Sequence, residues 1–369
     1  MKIFTNITRE YLGGITATNN SLLSFLASKK QKIIGLEYDT VRCMKGPFVL
    51  EGLDQNFFEH YILNISDLPF EKSPDNLGEL RKYYRPAIKE IKNLIRTASP
   101  DVVLINGTNY FSWIVATAAK ESGIPAVLRY HGISSKENSH LPGKMKRRFL
   151  KMERSFLRMA EAFIFPSELC RRTVENEVFG RKIDEAYVIP NPVSVPGYIR
   201  KPAKRKIAMV ARWSWIKNYG AFFRLHEALR KENWKHEASI ISDAGEDKIP
   251  KTITCLKPTD PEKLHRFYRS QGLIISPSHF ETFGNVPMEA ICSGVPALVS
   301  DKMGCAEILM ASGLEEMVMD FSDMRKVTSR VKELCGKGIS PGRIEKLKKI
   351  LDPGIINKKI LRILKDHIE

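Results

Sequence analysis

The feature that most constrains this chain is an alternation that stops and then begins again. Short, near-continuously apolar runs alternate with segments of helical apolar spacing up to about residue 190, and the same pattern resumes at residue 206. In the first half the apolar runs are MKIFTNI, IIGLEYD, Asp101–Asn106, Ala126–His131, Ala162–Phe165 and Tyr187–Ile189. Between them, NNSLLSFLAS, the long region Leu77–Thr97 and SWIVATAAKESG have apolar residues at helical spacing; the stretch from IIGLEYD to about Ser73 is polar. Strands apolar on both faces, separated by helices, predict a parallel sheet covered on both sides. The segment 192–206, PVSVPGYIRKPAKRK, is rich in proline and basic residues and reads as a linker. The second half predicts strands at Lys206–Val210, Ala238–Ile241, Gly272–Ile275 and Pro296–Ser300. Helices are predicted at Tyr219–Lys231, Pro261–Ser270 and Val286–Ser293, and two helical segments finish the chain.

The fold class is therefore α/β, with two doubly wound, Rossmann-like domains over residues 1–196 and 197–350 and a C-terminal helix over 351–369. Ligands of such sheets bind at the carboxyl ends of the strands, and two such domains facing each other are expected to share a cleft. Apolar residues make up 43% of the chain and charged residues 27%, which excludes a disordered or fibrous protein. No run approaches the ~20 apolar residues of a membrane-spanning helix. The opening MKIFTNITREYLGG lacks the apolar core of a secretory signal, so cytoplasmic residence is expected. The six cysteines (Cys43, Cys170, Cys255, Cys292, Cys305 and Cys335) form no C-x-x-C pair and read as free thiols. Fifty-nine Lys and Arg against 42 Asp and Glu leave a net charge of +17, spread over both halves. Such a charge attracts polyanions without saying which.

The most informative segment is Ser276–Ala290, SPSHFETFGNVPMEA, between a buried strand and a helix. Glu281 falls in the loop at the strand's carboxyl end and Glu289 in the first turns of the helix. The backbone N–H groups around Gly284 and Asn285 suit an anion at a helix N-terminus. A carboxylate accepts two hydroxyl hydrogen bonds, as sugars and riboses require. Arg212 closes the first strand of the second half and Lys217 follows five residues on. Two cations facing a helix N-terminus make a diphosphate site. The plainer reading, a helix cap, a solvated glutamate and incidental loop cations, stays open on spacing alone.

In combination these residues resemble the nucleotide-sugar-binding domain of the retaining glycosyltransferases of family 4, which have the GT-B fold. That family has an Arg and a Lys five apart after the first strand of the second domain, then two Glu with seven residues between. In the first half, Gly13-Gly14, His131-Gly132, Ser167 and Ile189-Pro190-Asn191 fit the same family. The resemblance implies that Arg212 and Lys217 neutralise a donor diphosphate. It implies that Glu281 holds donor-sugar hydroxyls, that Phe283, Gly284 and Asn285 bring backbone close to sugar and phosphate, and that Glu289 binds ribose. It implies that Gly13 and Gly14 approach the donor phosphate or the acceptor, and that His131 lies near the reacting carbon. It further implies retention of configuration, no metal or other cofactor, a nucleotide-diphosphate sugar as co-substrate, a glycan or lipid-linked acceptor, and a last helix crossing back to the first domain. Thr282, Asn191-Pro192-Val193-Ser194 and Asp243-Ala244-Gly245-Glu246 depart from the family's glycine-bearing turns, which bears on sugar and base selectivity. Other members of the fold fit less well: epimerases need carboxylate acid/base pairs in other places, and phosphorylases a cofactor lysine and a longer chain. Nucleic-acid binding has only the net charge behind it, with no helix-turn-helix, zinc spacing or aromatic sheet motif.

One further segment stands out. Lys144–Arg158 carries seven basic residues and one acid, with Met145, Phe149, Met152, Phe156 and Met159 at helical spacing. Its cationic face, Lys144, Lys146, Arg147, Arg148 and Lys151, fits a solvated helix face, an anionic membrane surface or an anionic acceptor. With the membrane reading the protein would sit peripherally at the inner face of the membrane.

Overall fold

A computed structural model of the chain describes residues 1–7, 14–39, 54–65, 76–198 and 201–368. The described chain divides into two compact domains, Met1–Pro190 with Pro353–Glu369, and Asn191–Asp352. The first is built on a seven-stranded sheet: β1 (Lys2–Asn6), β2 (Lys32–Asp39), β3 (Phe58–Asn64), β4 (Val102–Asn106), β5 (Ala126–Arg129), β6 (Ala162–Phe165) and β7 (Ala186–Val188). The strand order is β3-β2-β1-β4-β5-β6-β7, all parallel. Every residue of β4, β5 and β6 is buried, as strands covered by helices on both faces must be.

Three strands escape the sequence pattern, β3 and, in the second domain, β10 (Thr254–Leu256) and β13 (Val318–Met319), and each lies at a sheet edge. An edge strand has one neighbour and less burial, so FEHYILN alternates buried and exposed positions instead of running apolar. The region Leu77–Thr97 is two helices, Leu77–Tyr83 and Arg85–Ala98, which meet at Tyr84. Pro86 has no N–H to give the preceding turn and disfavours helical backbone at the residue before it.

The last helix, Pro353–Asp366, packs on the first domain. Ile356, Ile360, Ile363 and Leu364 repeat at helical spacing and are buried with Leu22, Leu23 and Leu26 of the helix Gly14–Ser28. Asn357 Nδ2 donates to the Ser21 carbonyl (3.1 Å) and hydroxyl (3.0 Å), which fixes the register of the two helices.

The second domain holds β8 (Lys206–Val210), β9 (Glu237–Ile241), β10, β11 (Leu273–Ser276), β12 (Ala297–Ser300) and β13 (Val318–Met319), in the parallel order β10-β9-β8-β11-β12-β13. After β12 come three more helices of this domain, Cys305–Ala311, Met324–Leu334 and Pro341–Ile350, where the sequence pattern shows fewer. Asn191–Val193, assigned above to the end of the first domain, pack with the second. The Val193 N–H donates to the Leu351 carbonyl (3.0 Å) and Asn191 Nδ2 to Asn285 Oδ1 (3.0 Å).

The docking of the last helix is testable. Ile360 has no exposed surface, so Ile360→Ala should cost about 2–5 kcal/mol. The exposed Lys358→Ala should stay within about 0.5 kcal/mol of the parent. Urea unfolding followed by far-UV circular dichroism measures both; equal midpoints would refute the packing.

Candidate active site

The second domain presents its loops at the carboxyl ends of β8, β11 and β12, and these loops are tied to one another. The Ala211 N–H donates to the Ile241 carbonyl (3.1 Å), which extends the ladder one residue past β8. The exposed Arg212 follows, then a single helical turn, Trp215–Lys217, and Asn218 at φ 55°. Asn218 Nδ2 donates to the Pro277 carbonyl (3.0 Å), and the His279 N–H donates to the Ile216 carbonyl (2.8 Å). Across this seam Lys217 Nζ lies 2.7 Å from Glu281 Oε1, which also accepts from the Ser278 hydroxyl at 2.8 Å. The exposed Trp215 ring stacks on His279, with 4.8 Å between centroids.

The loop after β12 closes the arrangement. The Glu281 N–H donates to the Lys302 carbonyl (3.2 Å). The Glu281 carbonyl accepts from Gly304 (3.0 Å), and that of Phe283 from Cys305 (2.7 Å). The Phe283 ring is buried in the domain core, so only its backbone takes part at the surface of the site. Gly284 has φ +109°, a region closed to other residues. A Cβ there would lie 2.7 Å from Met303 Cε and 2.9 Å from Cys305 Sγ. The helix Asn285–Cys292 starts directly after it, so its first N–H groups have no intrahelical acceptor. Asn285 commits its side chain to Asn191. Glu289, one turn into the helix, accepts from the Tyr268 hydroxyl at 2.9 Å. Burial pushes the Glu289 carboxyl up to about 7, against the opposing pull of that hydroxyl.

In the first domain Gly13 lies outside the described residues, and Gly14 is the first residue of the helix Gly14–Ser28. His131 follows β5 and is buried, with Nε2 3.3 Å from Asn106 Oδ1. Asn106 Nδ2 donates to Thr5 Oγ1 (2.9 Å) and the Asn6 carbonyl (3.1 Å), so its Oδ1 is the acceptor and His131 Nε2 carries a proton. Burial, with the nearby Arg129 adding to it, holds the imidazole well below the usual histidine range. A neutral ring with Nε2 protonated has its lone pair on Nδ1.

The loop after His131 is held by an acid the sequence reading passed over. Glu153 Oε1 accepts from the Ser134 N–H (2.6 Å) and the Thr108 hydroxyl (3.0 Å), and Oε2 from the N–H (3.1 Å) and hydroxyl of Ser135. The residue is fully buried, and burial outweighs these four bonds and pushes its carboxyl up to about 7. The available signal was position: Glu153 is the one acid of the basic helix and lies on its apolar stripe, beside Met152 and between Phe149 and Phe156. Tyr268, which meets Glu289, gave no signal, because a tyrosine in an amphipathic helix reads as core. The basic helix spans Gly143–Ser155 with one further turn, Phe156–Arg158. Lys144, Lys146, Arg147 and Lys151 are exposed, as expected. Arg148 is not: it is 6% exposed, because it stands three residues after Met145 and four before Met152, on the side of the helix that faces the domain.

Comparison with known proteins agrees with this architecture. Residues 52–195 match the family model for glycosyltransferase family 4, and residues 236–335 match that for family 4 glycosyltransferases in conflict systems. Together the two matches support a family 4 glycosyltransferase. It is 41% identical over 66 residues to the D-inositol 3-phosphate glycosyltransferase of Nocardia farcinica, covering 18% of this chain and 15% of that protein. It is 24% identical over 140 residues to the amylovoran biosynthesis glycosyltransferase AmsD of Erwinia amylovora, 36% of this chain and 38% of that one. The matched part is thus well under half the length of either relative. The sucrose-phosphate synthase of Thermosynechococcus elongatus shares the fold with a TM-score of 0.77 over 99% of this chain and 98% of that one, at 14% identity.

The two raised carboxyls set a pH dependence. Glu153 and Glu289 titrate near 4.5 in the unfolded chain and about 7 in the folded one, so the folded state binds more protons between these values. The stability they contribute is complete below about pH 4.5 and is lost as pH rises through about 7. For Glu153 the shift corresponds to about 3 kcal/mol. The melting temperature should fall between pH 5 and 8, and Glu153→Gln and Glu289→Gln should each flatten the slope. An unchanged slope in both variants would show that neither carboxyl is protonated in that range.

Proposed function

We propose that the chain is a retaining, metal-independent hexosyltransferase. It moves a sugar from a nucleotide-diphosphate donor, a UDP- or GDP-sugar, to a hydroxyl of a glycan, lipid-linked or phosphorylated acceptor in cell-surface polysaccharide or glycolipid synthesis. The observation that carries this reading is the Ser278–Glu281–Lys217 cluster, on loops that run through the Gly284 turn into a helix N-terminus, with Arg212 on the same loop as Lys217. Lys217 and Arg212 are assigned to the diphosphate, Glu281 to the donor sugar's hydroxyls and Glu289 to the ribose. In the transfer the bond from the anomeric carbon to the diphosphate oxygen breaks with its electron pair leaving on the phosphate. A bond from the acceptor oxygen forms on the same face, and the acceptor proton passes to the departing phosphate. The preorganised cations and the helix N-terminus stabilise the charge that grows on the leaving group. The first domain, with neutral His131, is assigned to the acceptor.

No helix among the described residues is long and apolar enough to cross a membrane. The basic helix buries Phe149, Met152 and Phe156 in its own domain, so any attraction to a membrane comes from its exposed charges. Lys144, Lys146, Arg147 and Lys151 would hold the protein peripherally at an anionic inner leaflet.

A thermal-shift series with UDP, GDP, ADP, CMP and dTDP tests the donor assignment. A ligand at 100 times its dissociation constant stabilises by about 2.7 kcal/mol, which is a shift of several degrees. One nucleoside diphosphate should give that shift, and Arg212→Ala and Glu289→Ala should each abolish it. Its affinity should strengthen as pH rises through about 7, because the ribose hydroxyls donate to the ionised Glu289. No shift with any nucleotide, or a shift indifferent to both variants, would reject the site.

A further inference from the structure

Arg129 is the residue that the proposed chemistry leaves unused and that the fold does not explain. It ends β5, between β4 and β6 in the interior of the first domain's sheet, and it is 2% exposed. Its backbone is satisfied, since its carbonyl accepts from the Gly107 N–H at 2.9 Å. Its side chain is not. Nη1 is buried with no hydrogen-bond partner, and among the described residues no carboxylate pairs with the guanidinium. Burial alone pushes the group down to about 10, with no neighbouring acid to offset it. A cation taken out of water costs several kcal/mol unless a counter-charge and hydrogen bonds replace the lost solvent.

The neighbourhood of this cation gives it a use. Strand alternation puts Arg129 on the face of β5 that carries Val127, where Leu104, Ile164 and the helix Gly14–Ser28 pack. His131 is two residues further on, and it feels the charge of Arg129. Both lie at the carboxyl end of the sheet, where ligands of such sheets bind. A guanidinium has five donors in a fixed fork that matches the two oxygens of a carboxylate or phosphate.

We propose that Arg129 anchors an oxyanion carried by the acceptor, a phosphomonoester or a carboxylate, beside the imidazole of His131. The word acceptor rests on the transferase reading above; the anion site itself does not. The anion supplies the counter-charge that none of the described residues supplies.

Thermal shifts with inorganic phosphate and with acetate, at constant ionic strength, test this on the full chain and on Arg129→Met, Arg129→Lys and Arg212→Ala. Phosphate or acetate should raise the parent's melting temperature by a few degrees, and the anion with the larger effect identifies the acceptor's group. Arg129→Met should lose that response and, without ligand, melt at or above the parent, since it removes an uncompensated charge. Arg212→Ala should keep the response, which separates this site from the diphosphate site. Should Arg129→Met fail to fold, Arg129→Lys decides: the loss of the fork should weaken phosphate binding at least about tenfold, and unchanged binding overturns the proposal. A response that survives in Arg129→Met, or no response in the parent, also overturns it. UDP and GDP run in parallel on the same variants keep the two readings apart. A nucleotide shift without an Arg129-dependent anion shift leaves the transferase and removes the anchor; the converse leaves an anion site and removes the transferase.

Discussion

The ion pair between Lys217 and Glu281 is what the second domain's site is built around. It joins the loop after β8 to the loop after β11, and the backbone of Glu281 is held in turn by Lys302 and Gly304 of the loop after β12. Three loops that would otherwise move independently are thereby fixed relative to one another before any ligand arrives. The left-handed turn at Gly284 then follows from where the chain must go: from the Glu281–Phe283 stretch into the helix Asn285–Cys292 with Met303 and Cys305 pressed against it. The pair is only partly exposed, so its attraction is less screened than that of a surface pair, and its value lies in preorganisation more than in net stability.

Two further carboxyls sit in surroundings of a different kind. Glu153 makes four hydrogen bonds that all favour its charged form, yet burial still raises its titration to about 7. Glu289 has one such bond, from Tyr268, and reaches a similar value. In Glu153 the bonds serve the fold, by pinning the Thr108 and Ser134–Ser135 segments on either side of His131 in sequence. In Glu289 the second oxygen is not committed to Tyr268, which leaves acceptor capacity on a carboxyl already paid for in desolvation.

The central strands were legible because burial on both faces leaves no room for polar residues, and the edge strands β3, β10 and β13 were not because one side of each is free of that demand. That Glu281, Lys217 and Arg212 lie on strand-end loops could be read from sequence because each follows an apolar strand, where a charge has no packing role. Arg148 was misplaced by the same logic: a charge in a helix reads as solvated until the face is counted, and its position relative to Met145 and Met152 turns it inward. Glu153, Tyr268 and Arg129 are legible only in part, since their meaning depends on what stands opposite them. For Glu153 that is two backbone N–H groups, for Tyr268 a carboxyl on another helix, and for Arg129 nothing in the described chain.

That last contrast separates the two domains in physical terms. The cation Lys217 has its carboxylate in place, so a ligand that engages it must offer contacts at least as good as those it displaces. Binding there is an exchange, and the resting site costs little. The cation Arg129 has no such partner among the described residues, and the imidazole two residues on is held neutral by burial and by that same cation. The first domain therefore carries its cost in the free state, and a bound anion would relieve it, so stability and ligand affinity trade against each other at Arg129 in a way they do not at Lys217.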